Sequence, residues 1–394
     1  MMAYVLTKMT DIIEFNPRES IARKRVCKKV PMEYLQPFTR QISGFEEAPY
    51  AGGTKFRNND TIMARITPCL ENGKTAFVKG FAENEVVFGS TEYIVMRAIP
   101  GHSDPAFIYY LATSPSFREV AIKSMVGSSG RQRVQQDVLE NLELILPDYE
   151  TQVRVGKVLS AFDDKIELNT QINHNLEEQI RVLFEDFFIN SQHCANWKQG
   201  TIADLGNVVG GSTPSKAKPE YYTSNGIAWI TPKDLSGNKS KFISKGETDI
   251  TPAGLRNSSA VIMPRGTVLF SSRAPIGYIA IAKNEITTNQ GFKSVVPHPH
   301  IGTAFVYCFL KHNLPKIESM ASGSTFKEVS GSVMKAIPAV IPAKDVLMNF
   351  STITQPLFDQ QELLEAENQR LAQLRDTLLP KLMSGEIDVS EVEV

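Results

Sequence analysis

Two long stretches of this chain, residues 150–190 and 345–394, repeat their apolar positions every three or four residues. A 3.5-residue repeat sustained over about four heptads produces a helix whose seam must pack on another helix. At about 1.5 Å per residue, such a helix would extend roughly 60 Å, much farther than an ordinary globular helix. The pattern therefore predicts two spacer helices, the second followed by a C-terminal tail.

The predicted seams alternate steps of three and four residues. The first seam comprises Leu159, Phe162, Ile166, Asn169, Asn173, Leu176, Ile180, Leu183 and Phe187. The second comprises Phe350, Ile353, Leu357, Gln360, Leu364, Glu367, Leu371, Leu374 and Leu378. Polar residues near the middle of a seam cost stability but can fix its register and partner number. Two separate homodimeric coiled coils are the alternative to a helix pair within one chain.

The rest of the chain follows one plan used twice, at an offset of nearly two hundred residues. Such internal repeats decide how a fold is organised. Four pairs of segments match in the same order: residues 60–65 and 266–271, 107–111 and 305–310, 127–129 and 323–325, and 144–147 and 339–342. Each half shows short strand-like segments, then a short helix, then one long helix.

These features predict an α+β fold with two similar mixed α/β domains, each followed by a long helix. We assign residues 1–149 to the first domain and residues 191–344 to the second. Because both long helices end similar domains of one chain, we expect them to form an antiparallel coiled coil.

Charge is distributed unevenly, although the net charge is only −1. Residues 201–344 carry 16 basic and 8 acidic side chains, and residues 1–149 carry 18 and 17. The helical stretches are acidic, with 4 basic and 8 acidic side chains in 150–190 and 3 and 10 in 345–394. Positive charge favours contact with phosphates. The pattern thus indicates globular parts that meet nucleic acid and helices that meet protein, although solvated helices are often acidic in any case.

Several segments carry a family resemblance in addition to the repeat and the paired helices. They are residues 210–214 (Gly-Gly-Ser-Thr-Pro), 230–235, 264–269, 271–277 (Ser-Ser-Arg-Ala-Pro-Ile-Gly), 288–292 and 378–387 (Leu-Leu-Pro-Lys-Leu-Met-Ser-Gly-Glu-Ile). With these, the chain resembles the specificity subunit of type I restriction–modification systems over almost its whole length.

The resemblance implies two target-recognition domains that each read one half of an interrupted site on double-stranded DNA. The helices would set the spacing between the halves. Two methyltransferase subunits, which bind S-adenosylmethionine and methylate adenine, would join at the domain–helix junctions, and restriction/translocase subunits would complete the enzyme. The chain itself is then expected to be cytoplasmic and to carry neither a cofactor nor a catalytic residue.

Base reading needs polar side chains on loops, and phosphate binding needs Lys, Arg and backbone N–H groups. In the first domain the candidates are Arg65, Thr67, Lys74, Ser90, Thr91, Arg131 and Arg133. In the second domain they are Lys216, Lys218, Lys233, Ser271, Ser272, Arg273, Asn289, Gln290 and Lys327. An Arg side chain suits guanine O6 and N7, and Asn or Gln suits adenine. An ordinary surface role is the alternative for any single member.

The sequence offers no pattern typical of an enzyme. Residues 72–75 (Asn-Gly-Lys-Thr) imitate the end of a phosphate-binding loop, but Pro68 stands where that loop requires glycine. The four cysteines and six histidines lack metal-ligand spacing. No apolar run is long enough to span a membrane. Two other classes stay open: an enzyme with an unfamiliar site, and a coiled-coil adaptor or scaffold that does not bind DNA.

Overall fold

The computed structural model describes residues 4–128, 130–190, 197–237, 240–323 and 327–392. It divides into two compact units, which we call unit 1 (Met1–Leu168 with Asn368–Val394) and unit 2 (Asn169–Glu367). Each unit contains one globular part and a portion of each long helix, so the boundary between units falls within both helices. The repeat segments at 127–129 and 323–325 include Ser129, Ser324 and Thr325, which lie outside the described residues.

Unit 1 is built from short strands and helices followed by a long helix. Its strands are β1 (Tyr4–Lys8), β2 (Ile13–Phe15), β3 (Val26–Val30), β4 (Glu46–Pro49), β5 (Lys55–Phe56), β6 (Thr61–Ala64), β7 (Thr75–Phe77), β8 (Val87–Gly89), β9 (Tyr93–Ala98) and β10 (Glu143–Pro147). Its helices are α1 (Met9–Ile12), α2 (Pro105–Thr113), α3 (Pro115–Lys123), α4 (Gln136–Glu140) and the beginning of α5 (Tyr149–Phe188).

The strands of unit 1 form two four-stranded sheets, in the orders β2-β9-β6-β7 and β4-β3-β8-β5, and a β1-β10 ribbon. Helix α2 packs on the first sheet with Phe107 and Leu111 fully buried. It begins there because Asp104 caps its N-terminus, accepting a hydrogen bond of 2.9 Å from the Phe107 N–H, and Pro105 fits the first turn. The sheet and helix together bury the apolar run that the sequence repeats in the second half.

Unit 2 begins inside α5 and repeats the same succession of elements. Its strands are β11 (Lys198–Thr201), β12 (Gly206–Gly210), β13 (Tyr222–Thr223), β14 (Ile227–Ile230), β15 (Phe242–Ile243), β16 (Asp249–Ile250), β17 (Val268–Ser272), β18 (Ile276–Ala282), β19 (Thr287–Thr288), β20 (Lys293–Pro297) and β21 (Pro338–Ile341). Its helices are α6 (Ile202–Leu205), α7 (Pro232–Gly237), α8 (Pro252–Arg256), α9 (Thr303–His312), α10 (Leu314–Ser319), α11 (Gly331–Ala336) and the beginning of α12 (Lys344–Ser384).

The first sheets and the two-stranded ribbons of the two units share one topology. The order β12-β20-β17-β18 of unit 2 repeats β2-β9-β6-β7 of unit 1, and β15 adds one further strand. Strands β14 and β19 pair in parallel, as β3 and β8 do. The ribbon β11-β21 corresponds to β1-β10, and each ribbon leads into a long helix. The predicted twofold repeat and the α+β fold class are therefore confirmed.

The long helices pair in antiparallel fashion within each unit. In unit 1, Asp163 forms an ion pair with Arg375, and the Ile166 carbonyl accepts a hydrogen bond of 3.5 Å from Asn368. In unit 2, Asn169 donates to Glu367 at 2.7 Å. Residue numbers rise along one helix as they fall along the other, so the predicted antiparallel pair is confirmed, and a polar seam pair lies at its middle as the pattern predicted.

The predicted seam of α5 is buried or half-buried throughout, but three residues of the α12 seam were assigned wrongly. Ile353, Gln360 and Leu374 are exposed, and Ile353 and Leu374 keep 46% and 44% of their accessible surface. The neighbours one position farther along, Thr354, Gln361 and Arg375, face inward instead. Two of these inner residues hydrogen-bond to α5, so polar side chains occupy positions that a purely apolar pattern gives to Leu or Ile.

Candidate nucleic-acid interface

Three loops of unit 1 meet beside the end of β6, and we call them the unit 1 loop cluster (residues 65–67, 90–92 and 126–128 with 130–134). Backbone hydrogen bonds fasten them together. The Arg65 N–H donates to the Glu92 carbonyl at 2.9 Å, and the Arg65 carbonyl accepts from Val134 at 2.9 Å. The Thr67 N–H donates to the Gln132 carbonyl at 3.0 Å. Sequence segments far apart thus form one surface that carries most of the first-domain candidates.

Arg133 and Glu92 form an ion pair within this cluster. Arg133 Nε lies 3.0 Å from both carboxylate oxygens of Glu92, and its Nη2 lies 2.6 Å from Oε1. These hydrogen bonds hold the pKa of the Glu92 carboxyl below its ordinary value. Arg131 and Thr91 are exposed on the same cluster, and the Ser90 hydroxyl accepts from the Glu92 N–H at 3.1 Å.

Three other candidates of unit 1 are occupied within the fold. Arg65 is half-buried and donates from Nη2 to the Val134 carbonyl at 3.1 Å. The Thr67 hydroxyl faces the sulfur of Met125 at 3.9 Å. The Lys74 ammonium donates to the Met32 carbonyl at 2.8 Å, which removes it from the group of freely exposed cations. Of the first-domain candidates, Thr91, Arg131 and Arg133 are consequently the most exposed.

Unit 2 brings the equivalent loops together, and we call them the unit 2 loop cluster (residues 273–275, 289–292 and 320–323 with 327–330). The backbone of Ser272 is equivalent to that of Arg65. Its N–H donates to the Gly291 carbonyl at 2.7 Å, and its carbonyl accepts from the Val329 N–H at 3.0 Å. The predicted Arg273, Asn289, Gln290 and Lys327 lie on these loops. Arg273 approaches Glu328 at 3.7 Å, and Lys327 is exposed.

Two predicted contacts of unit 2 are corrected by the structure. Ser271 and Ser272 are fully buried at the end of β17. The Ser271 hydroxyl donates to the Pro275 carbonyl at 2.9 Å and accepts from Tyr278 at 2.8 Å, and the Ser272 hydroxyl donates to the Gly291 carbonyl at 3.1 Å. The Ser271 hydroxyl closes the turn after β17, and the Ser272 hydroxyl joins the end of β17 to the loop that contains Gly291. These residues therefore leave the set of candidate DNA contacts.

The Gly-Gly-Ser-Thr-Pro segment, residues 210–214, runs along the base of the same cluster. Ser212 N–H donates to the Thr288 carbonyl at 2.9 Å, and a Cβ at Gly211 would lie 2.0 Å from the Asn289 carbonyl, so only glycine allows this approach. The Thr213 hydroxyl contacts the Gln290 side chain. This segment therefore fixes the position of the loop that carries Asn289 and Gln290.

An open cavity of about 540 Å³ lies beside that segment. Asn289 and Gln290 line it together with Trp229, which is buried and donates to the Ser212 carbonyl at 3.0 Å, as expected of a core residue. The lysine side chains near this cavity differ in whether an ion pair already engages them. Lys216 and Lys218 are exposed, whereas Lys233 pairs with Glu247 at 2.7 Å.

The family model described as type I restriction modification DNA specificity domain matches this chain twice, over residues 4–178 and 195–373. The two matches cover the two repeats. The chain belongs to this family.

Relatives agree with this assignment. The chain is 38% identical over 181 residues to the specificity subunit of type I restriction enzyme MjaIX from Methanocaldococcus jannaschii, a match that covers 45% of this chain and 42% of that relative. It is 24% identical to the HindI specificity subunit of Haemophilus influenzae, over 88% of this chain and 90% of the relative. The crystal structure of the S subunit from M. genitalium has the same fold, with a TM-score of 0.58 and 16% identity over 97% of this chain and 96% of that one. The function is DNA sequence specificity, and the adaptor alternative has no support.

Buried charges that the sequence did not reveal hold the globular part of unit 2 on its portions of the long helices. Lys241 is only 8% exposed, and its ammonium contacts Glu177 of α5 at 3.0 Å and Gln361 of α12 at 2.7 Å. It also lies 3.5 Å from the centre of the Phe358 ring. Burial alone would raise the pKa of Glu177, but Lys241 and Lys311 outweigh it and lower this pKa to about 2.

Unit 1 of this specificity subunit uses a comparable arrangement. Arg40 is buried and pairs with Glu167 at 2.8 Å and with Asp164. Tyr110 donates to buried Asp163 at 2.6 Å, and Asp163 in turn pairs with Arg375. Charged residues in a helical pattern are usually assigned to solvent, so sequence reasoning had no signal for these contacts.

The described part of the chain offers no cluster of three or more His, Cys, Asp or Glu side chains that could hold a metal ion. Among the helices described, none is both long and apolar enough to cross a membrane.

Proposed function

We propose that each unit of this specificity subunit reads one half of a bipartite site on double-stranded DNA. The observation that supports this is the recurrence of one loop cluster, built on one topology, in both units. Loops carrying Arg, Lys and amide side chains on a rigid sheet are suited to contact base edges and phosphates. Arg131, Arg133, Arg273, Asn289 and Gln290 are the base-reading candidates that the structure leaves accessible or partly accessible.

We further propose that the helices set the distance between the half-sites and recruit two methyltransferase subunits, joined by restriction/translocase subunits in a cytoplasmic complex. The acidic surplus of both helical stretches supports contact with protein rather than with phosphates. Binding of S-adenosylmethionine, adenine methylation and cleavage would then belong to the partner subunits.

The phosphate-contact part of the proposal predicts a salt dependence. The variant Lys216→Ala/Lys218→Ala should weaken binding to all sequences alike, because phosphates carry no sequence information. The slope of log affinity against log salt should become shallower by about 1.8, since each phosphate contact contributes roughly 0.9. The measurement is fluorescence anisotropy with a duplex at several salt concentrations.

The matched control is Lys198→Ala/Lys344→Ala, which removes the same charge from exposed positions on β11 and at the start of α12. Its slope should equal that of the unmodified chain. An equal loss of slope in both variants would mean that net charge, and not local phosphate contact, governs binding.

The spacer part of the proposal predicts a change in the recognised motif. Four residues inserted after Leu168 in α5 and four after Glu367 in α12 would lengthen both helices by about 6 Å. Both half-sites should be kept, and the gap between them should grow by roughly two base pairs of about 3.4 Å each. Methylome sequencing of cells that express the variant with its methyltransferase partner measures this directly.

The same four residues inserted after Gly101, in an exposed turn, provide the control and should leave the motif unchanged. A helix variant that methylates with the original gap would refute the spacer role.

A further inference from the structure

Equivalent residues of the two loop clusters each form an ion pair, but they carry opposite charges. In unit 1 this residue is Arg133, on the loop that begins at Val126, and its partner is Glu92. In unit 2 the equivalent residue is Glu328, which lies 3.7 Å from Arg273 and 3.5 Å from Lys293. Both units therefore keep one carboxylate on a surface that is otherwise suited to DNA.

The two positions are equivalent by backbone pairing. Arg133 forms a bridge with Val126 at the start of its loop, and Glu328 forms the same bridge with Ser322. The next residue in each unit also makes the same backbone hydrogen bond. The Val134 N–H donates to the Arg65 carbonyl, and the Val329 N–H donates to the Ser272 carbonyl. The exchange of charge thus falls at one defined place in a repeated fold.

The ion pair of unit 1 is not needed to hold its loop. Backbone hydrogen bonds of 2.9 and 3.0 Å join Arg133 and Val126 in both directions, and Thr67 donates to the Gln132 carbonyl. Arg133 is also 46% exposed, and exposed ion pairs contribute little to stability. The side chains are therefore available for another purpose.

The geometry leaves one edge of the guanidinium free for a ligand. Arg133 directs Nε and Nη2 to Glu92, while Nη1 has no acceptor among the described residues. A guanidinium held along one edge presents Nη1 and the second Nη2 proton along the other. A carboxylate near the phosphates costs binding unless it accepts a hydrogen bond from a base, and the amino group at cytosine N4 is the donor that suits it.

We propose that Arg133 and Glu92 together read one G·C base pair in the half-site of unit 1. Arg133 donates to guanine O6 and N7, and Glu92 positions the guanidinium and accepts from cytosine N4. This inference rests on the proposed function, because it requires that the unit 1 loop cluster faces DNA. It assigns a specificity-determining couple within that surface.

The test is selection of binding sequences by the purified full chain from a duplex library with two randomised half-sites. Arg133→Gln should lose preference for G·C at one position by about 5- to 150-fold, the range for one bidentate base contact, and should shift that position toward A·T. The exchanged variant Glu92→Arg/Arg133→Glu keeps an ion pair but reverses its ends, so it should change the preferred base at the same position. Glu119→Gln, which breaks the exposed Lys123–Glu119 pair on α3, is the matched control and should leave the motif intact.

The outcomes separate this couple from the wider proposal. A change confined to one position supports the assignment. If the exchanged variant selects the original motif, the pair is structural, and if Arg133→Gln weakens all positions equally, Arg133 contacts phosphate; either result overturns the inference and leaves the proposed function intact. If the unmodified chain selects no motif, both fail.

Discussion

Glu177→Gln is expected to lower the free energy of unfolding of unit 2 by about 3–5 kcal/mol, the cost of leaving a buried charge without its partner. The Glu177 carboxylate contacts Lys241 at 3.0 Å and Lys311 at 2.5 Å, and accepts from Tyr307 at 3.0 Å. The glutamine keeps an amide oxygen but no charge, so the Lys241 ammonium would stay buried beside a second cation without the carboxylate that now contacts both. Burial already lowers the pKa of Lys241, so the ammonium would tend to lose its proton instead.

Urea unfolding followed by tryptophan fluorescence measures this effect in the correct unit, because Trp197 and Trp229 are the chain's two tryptophans and both lie in unit 2. The matched control is Glu178→Gln, because Glu178 is the next residue on α5 and its side chain is 48% exposed. This variant should change the free energy of unfolding by no more than about 0.5 kcal/mol. The double variant Glu177→Gln/Lys241→Met removes both charges and should recover most of the loss. Equal effects of Glu177→Gln and Glu178→Gln would refute the buried ion cluster.

The same cluster predicts the direction of a pH effect. The pKa of Glu177 is lowered in the folded chain from its ordinary value of 4.5 to about 2. Its contribution to stability is therefore complete above about pH 4.5 and is lost as the pH falls toward 2. The stability difference between the unmodified chain and Glu177→Gln should shrink over that range.

The repeat was predictable from the sequence because the repeated segments are apolar. Such segments form the buried strands and helices of the core. Residues 107–111 and 305–310 resemble each other, and both belong to the buried helices α2 and α9. The loop clusters were predictable only in part. Strand β17 runs to Ser272, and the hydroxyls of Ser271 and Ser272 bond to backbone carbonyls of the turn after it and of the neighbouring loop. A count of polar residues does not predict this.

The helix seams show a second limit of periodicity. A seam drawn through Leu374 follows the apolar residues, but the helix turns Arg375 inward because a buried carboxylate, Asp163, faces it. Each long helix also packs against a globular part, so its buried face is wider than one heptad stripe. From the sequence alone, a charged side chain that is paired on this buried face cannot be distinguished from one that is exposed to solvent.

Leu382→Ala should destabilise unit 1 by about 2–5 kcal/mol, the usual cost of truncating a fully buried leucine. Leu382 lies in α12, close to the C-terminal end of the chain, yet it is buried in the core that contains Met9 and Phe107 of the first domain. Its carbonyl accepts from the Tyr4 hydroxyl at 3.3 Å. The end of α12 therefore completes the core of unit 1, to which the N-terminal strands and helices contribute.

The control for this variant is Leu374→Ala on the same helix, a residue that the heptad pattern gives to the seam and the structure leaves 44% exposed. It should cost less than about 1 kcal/mol, because an exposed leucine leaves no cavity when it is truncated. Calorimetry should show a lower unfolding temperature for Leu382→Ala, while the fluorescence transition of the two tryptophans in unit 2 should move little. If Leu374→Ala were the more damaging change, or if Leu382→Ala shifted only the fluorescence transition, the C-terminal residues could not belong to the core of unit 1.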